Sequence, residues 1–359
     1  MPLLRFHFST SLTYKTELLR ALQQEIELQR DFLNGETIET IYFGGGTPSL
    51  LEGEEINQLI STITDLHTVS SAAEITLEAN PDDLDSKKLN ALRQTPVNRF
   101  SIGLQSFFDD DLMWMNRAHR SNEAESSVKR AQDTGFENIT VDLIYGYPLL
   151  TDQKWKYNLD KVFDLQVPHV SAYSMTVEPR TALASFIKNK KQQPMNEEQS
   201  SEQFIQLMEA MQTQGFEHYE ISNFCKPGHY SRHNTNYWKG VKYLGIGPSA
   251  HSYDGEKRQW NIANNAKYIQ AIEKKTIPAE IEVLTEENRL NEYIMTSLRT
   301  QWGLNLEQLN QIAKGASEPL LKDAALFFEK EWIIQKDQVI YLTQTGKLYT
   351  DHIASELFF

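Results

Sequence analysis

The sequence is nearly devoid of cysteine: Cys225 is the only one in 359 residues. A single thiol excludes an intrachain disulfide. It also excludes an all-cysteine zinc site, and any iron–sulfur cluster held by three or four cysteines of these residues. Long apolar runs are missing too. None approaches the roughly 18 residues a membrane-spanning helix needs. The start, Met1-Pro2-Leu3-Leu4-Arg5, has a short apolar patch without signal-peptide architecture, so a cytoplasmic location is expected. Positive charge is in deficit, with 35 Lys plus Arg against 49 Asp plus Glu and a net charge of -14. That balance argues against general affinity for nucleic acid or anionic membrane, leaving room only for a local basic patch. Low-complexity tracts and exact repeats are absent as well.

What is there is ordinary globular composition, 40% hydrophobic and 23% charged. At ~150 residues per domain the length suggests about two domains. β-Branched or aromatic runs at 37–43, 74–79, 99–105, 138–145 and 170–175 alternate with stretches of helical spacing, such as Ile56, Leu59, Ile60 and Ile63. This rhythm predicts parallel βαβ units. Polar residues gather at the run ends. Gly44-Gly45-Gly46-Thr47 follows the first, Glu78 and Gln105 close the second and third, Asp142 lies in the fourth, and Tyr173 and Ser174 end the fifth. A sixth strand is predicted at 243–247, leading into Pro248-Ser249-Ala250-His251. Function collected at the carboxyl ends of parallel strands marks an α/β barrel or an open α/β sheet.

From about Asn288 the pattern changes. Helices are predicted at 288–299, 306–312 and 318–329, then a hairpin (332–334 and 339–342) and a last helix near Thr343. The arrangement is winged-helix-like. The acidic charge makes it a packing or protein-contact module rather than a DNA reader. The expected division is 1–285 for the α/β barrel and 286–359 for the helical C-terminal domain.

Each motif has a bland alternative. Glycines after a strand allow a tight turn and close approach of a ligand, and Thr47 or Ser49 is expected to cap the next helix. The loop is neither a Walker A loop nor G-x-G-x-x-G. Glu78 and Asp142 are carboxylates in apolar strands, where charge is rarely buried without a partner. The run around Asp142 reads as a strand buried on both faces. Arg117, expected late in a helix, suits a ligand carboxylate. Residues 217–238 form the densest polar and aromatic cluster. Three histidines and Cys225 fall within 16 positions there, but no zinc spacing is matched. A haem-iron histidine and a plain packed loop stay open.

Together these motifs are more specific than any one. Gly44-Gly45-Gly46-Thr47-Pro48-Ser49, Glu78-Ala79-Asn80-Pro81, Ser101-Ile102-Gly103-Leu104-Gln105-Ser106-Phe107, Asn116-Arg117-Ala118-His119 and Asp142-Leu143-Ile144-Tyr145-Gly146 occur in this order. The chain resembles the HemW-type haem chaperones, relatives of the oxygen-independent coproporphyrinogen III oxidases in the radical SAM superfamily. The resemblance runs from about Phe6 to the C-terminus. His233-Asn234-Thr235-Asn236-Tyr237-Trp238 is similar to that family's H-N-x-x-Y-W haem motif and favours the chaperone branch over porphyrinogen oxidation.

The resemblance implies an incomplete parallel TIM-like barrel of the radical SAM type with a small helical C-terminal domain. Gly45, Gly46 and Thr47 would approach the methionine end of S-adenosylmethionine. Glu78, Gln105, Arg117, Asp142 and, as a weaker match, Ser174 would contact it. His233 would face haem iron, with Asn234, Tyr237 and Trp238 completing the haem motif. Implied partners are haem and a recipient haemoprotein, membrane-bound ones included, with a homodimer allowed and no nucleic acid. Whether the chain is an enzyme stays open. The family also implies a [4Fe-4S] cluster on C-x-x-x-C-x-x-C. Here 6–11 looks like the stretch that follows that motif, and neither the cysteines nor the first barrel strand precedes it. A truncated chain or misassigned start is expected, rather than a cluster-free paralogue.

Overall fold

The computed structural model describes residues 13–179 and 181–359. The stretch likened to the segment after the cluster motif therefore lies outside the described residues.

Five strands run parallel in sequence order: Ile38–Phe43 (β1), Val69–Ala79 (β2), Arg99–Gln105 (β3), Ile139–Tyr145 (β4) and His169–Ser174 (β5). Two short strands extend the sheet beyond β5. Glu217–Glu220 (β6) and Asn223–Cys225 (β7) pair with each other, and β7 pairs antiparallel with β5, giving the order β1-β2-β3-β4-β5-β7-β6. The result is an α/β half-barrel. Helices such as Gly53–Leu66, Ser121–Asp133 and Asp152–Asp164 cover its outer face.

The predicted sixth strand at 243–247 does not form. Only Tyr243 makes a bridge, to Tyr253. A side chain at Gly245 would strike the His251 backbone, 2.1 Å from its carbonyl oxygen, so this segment folds back on itself instead. Its Gly247 N–H is held by buried Glu25 (2.7 Å), which also accepts from Tyr268 and Asn261. That one carboxylate ties the helix Lys15–Leu28 to a second, antiparallel sheet of His251–Tyr253 (β8), Lys257–Asn261 (β9) and Ala279–Val283 (β10).

Strand periodicity splits the half-barrel into two faces. Ile75 and Leu77, Phe100 and Ile102, and Val141 and Leu143 point outward into the main core. The inward positions are mostly polar. Asp142 thus belongs to a strand apolar on one face only, which corrects the expectation of a strand buried apolar on both.

A separate core, including Leu290, Ile294, Leu309, Phe327, Ile340 and Ile353, is built from 290–357. It holds the helices Glu286–Leu298, Leu306–Ile312, Ser317–Asp323, Ala325–Glu329 and Thr350–Glu356. They pack with a small sheet of Leu304–Asn305 (β11), Ile333–Lys336 (β12) and Val339–Leu342 (β13). The helix predicted at 318–329 is broken in two. This unit is bolted to the sheet end by Arg299, which pairs with buried Glu220 (3.2 Å), and by Lys347, bonded to His218 Nδ1 (2.9 Å). No helix among the described residues is long and apolar enough to cross a membrane.

Candidate functional site

The glycine loop is anchored by Glu78. Its Oε1 accepts from the Tyr42 hydroxyl (2.7 Å) and its Oε2 from the Gly45 N–H (3.0 Å). Gly45 and Gly46 adopt φ of 73° and 68°, a left-handed backbone that glycine takes without penalty, and no atom lies within 4 Å of an added Cβ at either. The loop therefore presents open backbone. Neither expected cap forms. Thr47 makes no side-chain cap, while buried Ser49 donates to Asp83 (2.6 Å). The next long helix is capped by Glu52 and Glu55 instead.

Asp142 lies one strand-pair further in, within hydrogen-bond reach of Ser101 (3.5 Å). Burial and the nearby Glu78 push its carboxyl up to about 7, so it is about half protonated near neutral pH. Gln105, last in β3, sits at φ 68°, a strained conformation for a residue with a Cβ. Strand pairing shifts register there. Arg117 is not helical. It lies past the helix Asp109–Trp114 and donates to Asn80 Oδ1 (2.9 Å) and the Gly103 carbonyl (3.0 Å). A Cβ on Gly103 would come within 2.9 Å of Gln105 Nε2 and 3.1 Å of Arg117 Nη2, so this glycine makes their approach possible. The Arg117 guanidinium hydrogen-bonds only these neutral groups among the described residues; burial lowers its affinity for the proton, against the charges of Asp82, Asp142 and Asp83 nearby. Ser174 bonds Ser200 (2.7 Å) at the rim.

A polar cavity of about 130 Å³ joins Glu78 and Asp142 with Tyr42, Ser101, Tyr173 and Asn234. Arg99, fully buried, forms its floor and donates to Asn138 (2.6 Å) and Thr140. Sequence reasoning missed Tyr42, Arg99, Ser101 and Ser171. The signal was available: Thr40-x-Tyr42, Thr76-x-Glu78, Arg99-x-Ser101, Thr140-x-Asp142 and His169-x-Ser171-x-Tyr173 repeat polar residues at the strand period of two.

The 233–238 motif forms a short helix, Arg232–Trp238. Glu74 of β2 caps it, accepting from the backbone N–H of Arg232 (3.1 Å) and His233 (2.9 Å). His233 turns toward β1. Its Nδ1 lies 3.1 Å from Thr40 Oγ1, and its ring stacks on Tyr42 at 4.5 Å. Burial lowers its pKa to about 4, so the ring is neutral. Asn234, Tyr237 and Trp238 instead face a cleft of about 1140 Å³ between the sheet end, β8–β9 and the helix Glu286–Leu298. Tyr173 and Asn234 border both spaces, so the two are adjacent.

Cys225 lies in β7, opposite His169, and is fully buried. Burial and Glu217 push its thiol up to about 12. A protonated, enclosed thiol does not fit a cluster ligand. Among the described residues no group of three or more His, Cys, Asp or Glu could hold a metal ion. These residues therefore do not fit a cysteine-held cluster.

The Radical SAM superfamily matches residues 8–162 and the HemN C-terminal domain residues 284–349. "Heme chaperone HemW" of Bacillus subtilis (strain 168) is 34% identical over 343 residues, covering 94% of this chain and 90% of that protein. The protein of the same name from Mycobacterium tuberculosis is 32% identical over 340 residues, covering 94% and 85%. Among solved structures, the radical SAM enzyme coproporphyrinogen III oxidase (HemN) from Escherichia coli superposes with a TM-score of 0.84. It covers 99% of this chain and 86% of that one at 21% identity, a likeness of fold alone.

Proposed function

The chain belongs to the HemW family, and from that premise we propose that it binds haem and delivers it to a recipient haemoprotein. One observation carries the reading: the large cleft is walled by aromatic side chains of the H-N-x-x-Y-W helix and of the C-terminal unit, with cations at its edge. Tyr237, Trp238, Tyr243 and Trp302 offer flat apolar surface, which suits a planar macrocycle. When bound, haem supplies an iron that takes an imidazole nitrogen. His233 is the proposed ligand; its ring packs on Tyr42 and lines neither space, so ligation is proposed to need the ring to turn from β1 toward the cleft. Thr40 occupies its Nδ1 and the ring stays neutral, which leaves Nε2 as the nitrogen to present.

The strand-end cup is proposed to hold S-adenosylmethionine. Gly45, Gly46 and Thr47 would lie along the ligand, with Glu78 fixing the loop. Arg117, a buried cation lacking a carboxylate partner among the described residues, suits the amino-acid carboxylate. Gln105, Asp142 and Ser174 would complete the contacts. These roles use this chain's residues to bind and orient. The described residues do not fit a cluster, so these roles stand without one. The residues up to 285 are proposed as the ligand-holding unit and 286–359 as a packing module that closes the cleft. The alternative, coproporphyrinogen III oxidation, has no observation here that favours it.

Haem titration of the purified chain tests the reading. A saturable Soret shift that is lost in His233→Ala supports it. Failure of the folded wild type to shift the haem spectrum contradicts it.

A further inference from the structure

The large cleft contains hydrogen-bond donors that the chain itself does not satisfy. The Nε hydrogens of Arg258 and Arg289 are buried without partners among the described residues, and so is the indole N–H of Trp238. Buried donors without acceptors are rare and costly, so three of them lining one cleft are informative. Arg258 spends one nitrogen on Glu292 (2.9 Å). No hydrogen bond or ion pair to a described residue engages the Arg289 guanidinium. Both guanidinium groups act on the Tyr253 hydroxyl from nearby, so they share one corner of the cleft. Glu292 and Asp254 act on the same hydroxyl, and Glu292 already pairs with Arg258, so the Arg289 guanidinium is the cation of this corner that no described residue pairs.

We propose that the Arg258–Arg289 corner anchors a ligand carboxylate, so that the cleft selects macrocycles bearing acidic side arms. The inference rests on the haem-binding reading and adds how the ligand is recognised. Guanidinium groups pair with carboxylates through two parallel N–H bonds, and a half-buried site strengthens the pairing. The aromatic wall supplies affinity for the flat ring, and the arginine corner supplies its orientation.

The probes are haemin, a free dicarboxylate, and its dimethyl ester, the same macrocycle without the charges. Wild type is expected to bind the diacid about 10- to 100-fold more tightly than the ester. Arg289→Gln is expected to erase most of that ratio while leaving ester affinity unchanged, and Arg289→Lys to restore part of it. Equal affinity of wild type for acid and ester overturns the anchor and leaves the haem reading standing. An Arg289→Gln variant that keeps the full ratio overturns it as well. Binding of neither probe to folded wild type overturns both. Should the variant fail to fold, the acid-to-ester ratio of wild type still decides.

Discussion

The strand-end cup and the large cleft share Tyr173 and Asn234 but are built on opposite principles. The cup satisfies most of its own polar groups, leaving the Thr76 hydroxyl without a partner and Arg117 without a carboxylate among the described residues. Glu78 accepts two hydrogen bonds, Arg117 donates two, and Asp142 holds its proton up to about pH 7. The cleft leaves donors open and lines itself with aromatic rings. A cup whose loop is already hydrogen-bonded is organised before its ligand arrives, so recognition there rests on the open glycine backbone and on Arg117. A cleft with orphan donors pays a desolvation cost in the free protein that an anionic, aromatic ligand relieves. The contrast teaches that two adjacent spaces of one fold can suit ligands of different chemistry.

The comparison breaks most visibly at Trp238. Trp238→Ala is expected to weaken haem binding by about 2–4 kcal/mol, as for a buried aromatic anchor, and to leave S-adenosylmethionine affinity unchanged. Parallel absorbance and calorimetric titrations check this. Glu78→Gln is expected to do the converse. Replacing the carboxylate that receives both the Tyr42 hydroxyl and the Gly45 N–H costs about 1.5–3 kcal/mol of S-adenosylmethionine binding in calorimetry, with haem affinity kept.

Asp142→Asn sharpens the electrostatic side of the contrast. Its folded pKa of about 7 lies above the ordinary value of 3.8. Between these values the native state binds more protons than the unfolded chain, so stability falls as pH rises through that window. The asparagine variant is expected to gain roughly 1–2 kcal/mol over wild type at pH ~8, discounted for partial exposure, and little at pH ~4. Melting curves at the two pH values decide. The smallest effect is expected at Gln105. Gln105→Gly relieves the left-handed backbone and is expected to stabilise by about 0.5–1 kcal/mol in denaturant unfolding while weakening the cup's ligand binding.

The cup was largely legible in the sequence, because each of its parts lies at a strand end with its own local signal. Glu78, Gln105 and Asp142 stood out as polar residues closing or interrupting apolar runs. Arg117 was found but set on a helix, because loop geometry between two short helices leaves no periodic trace. The antiparallel strands β6 and β7 were missed: four and three residues are too short for a pattern, and their pairing depends on β5, some fifty positions away. The failed strand at 243–247 shows the reverse error, an apolar run bent by a close glycine contact. The cleft was half legible. Tyr237 and Trp238 lay inside a recognisable motif, yet Arg258, Arg289 and Trp302 come from segments brought together only by docking of the C-terminal unit. His233 shared that motif but packs against β1, because Glu74 fixes the start of its helix.

The central claim is that haem belongs to the cleft and not to the cup. A haemin titration followed at the Soret band, run on wild type, Glu78→Gln and Trp238→Ala side by side, tests it most directly. The account predicts saturable binding that persists in Glu78→Gln and collapses in folded Trp238→Ala. Binding that collapses in Glu78→Gln and persists in Trp238→Ala would contradict it.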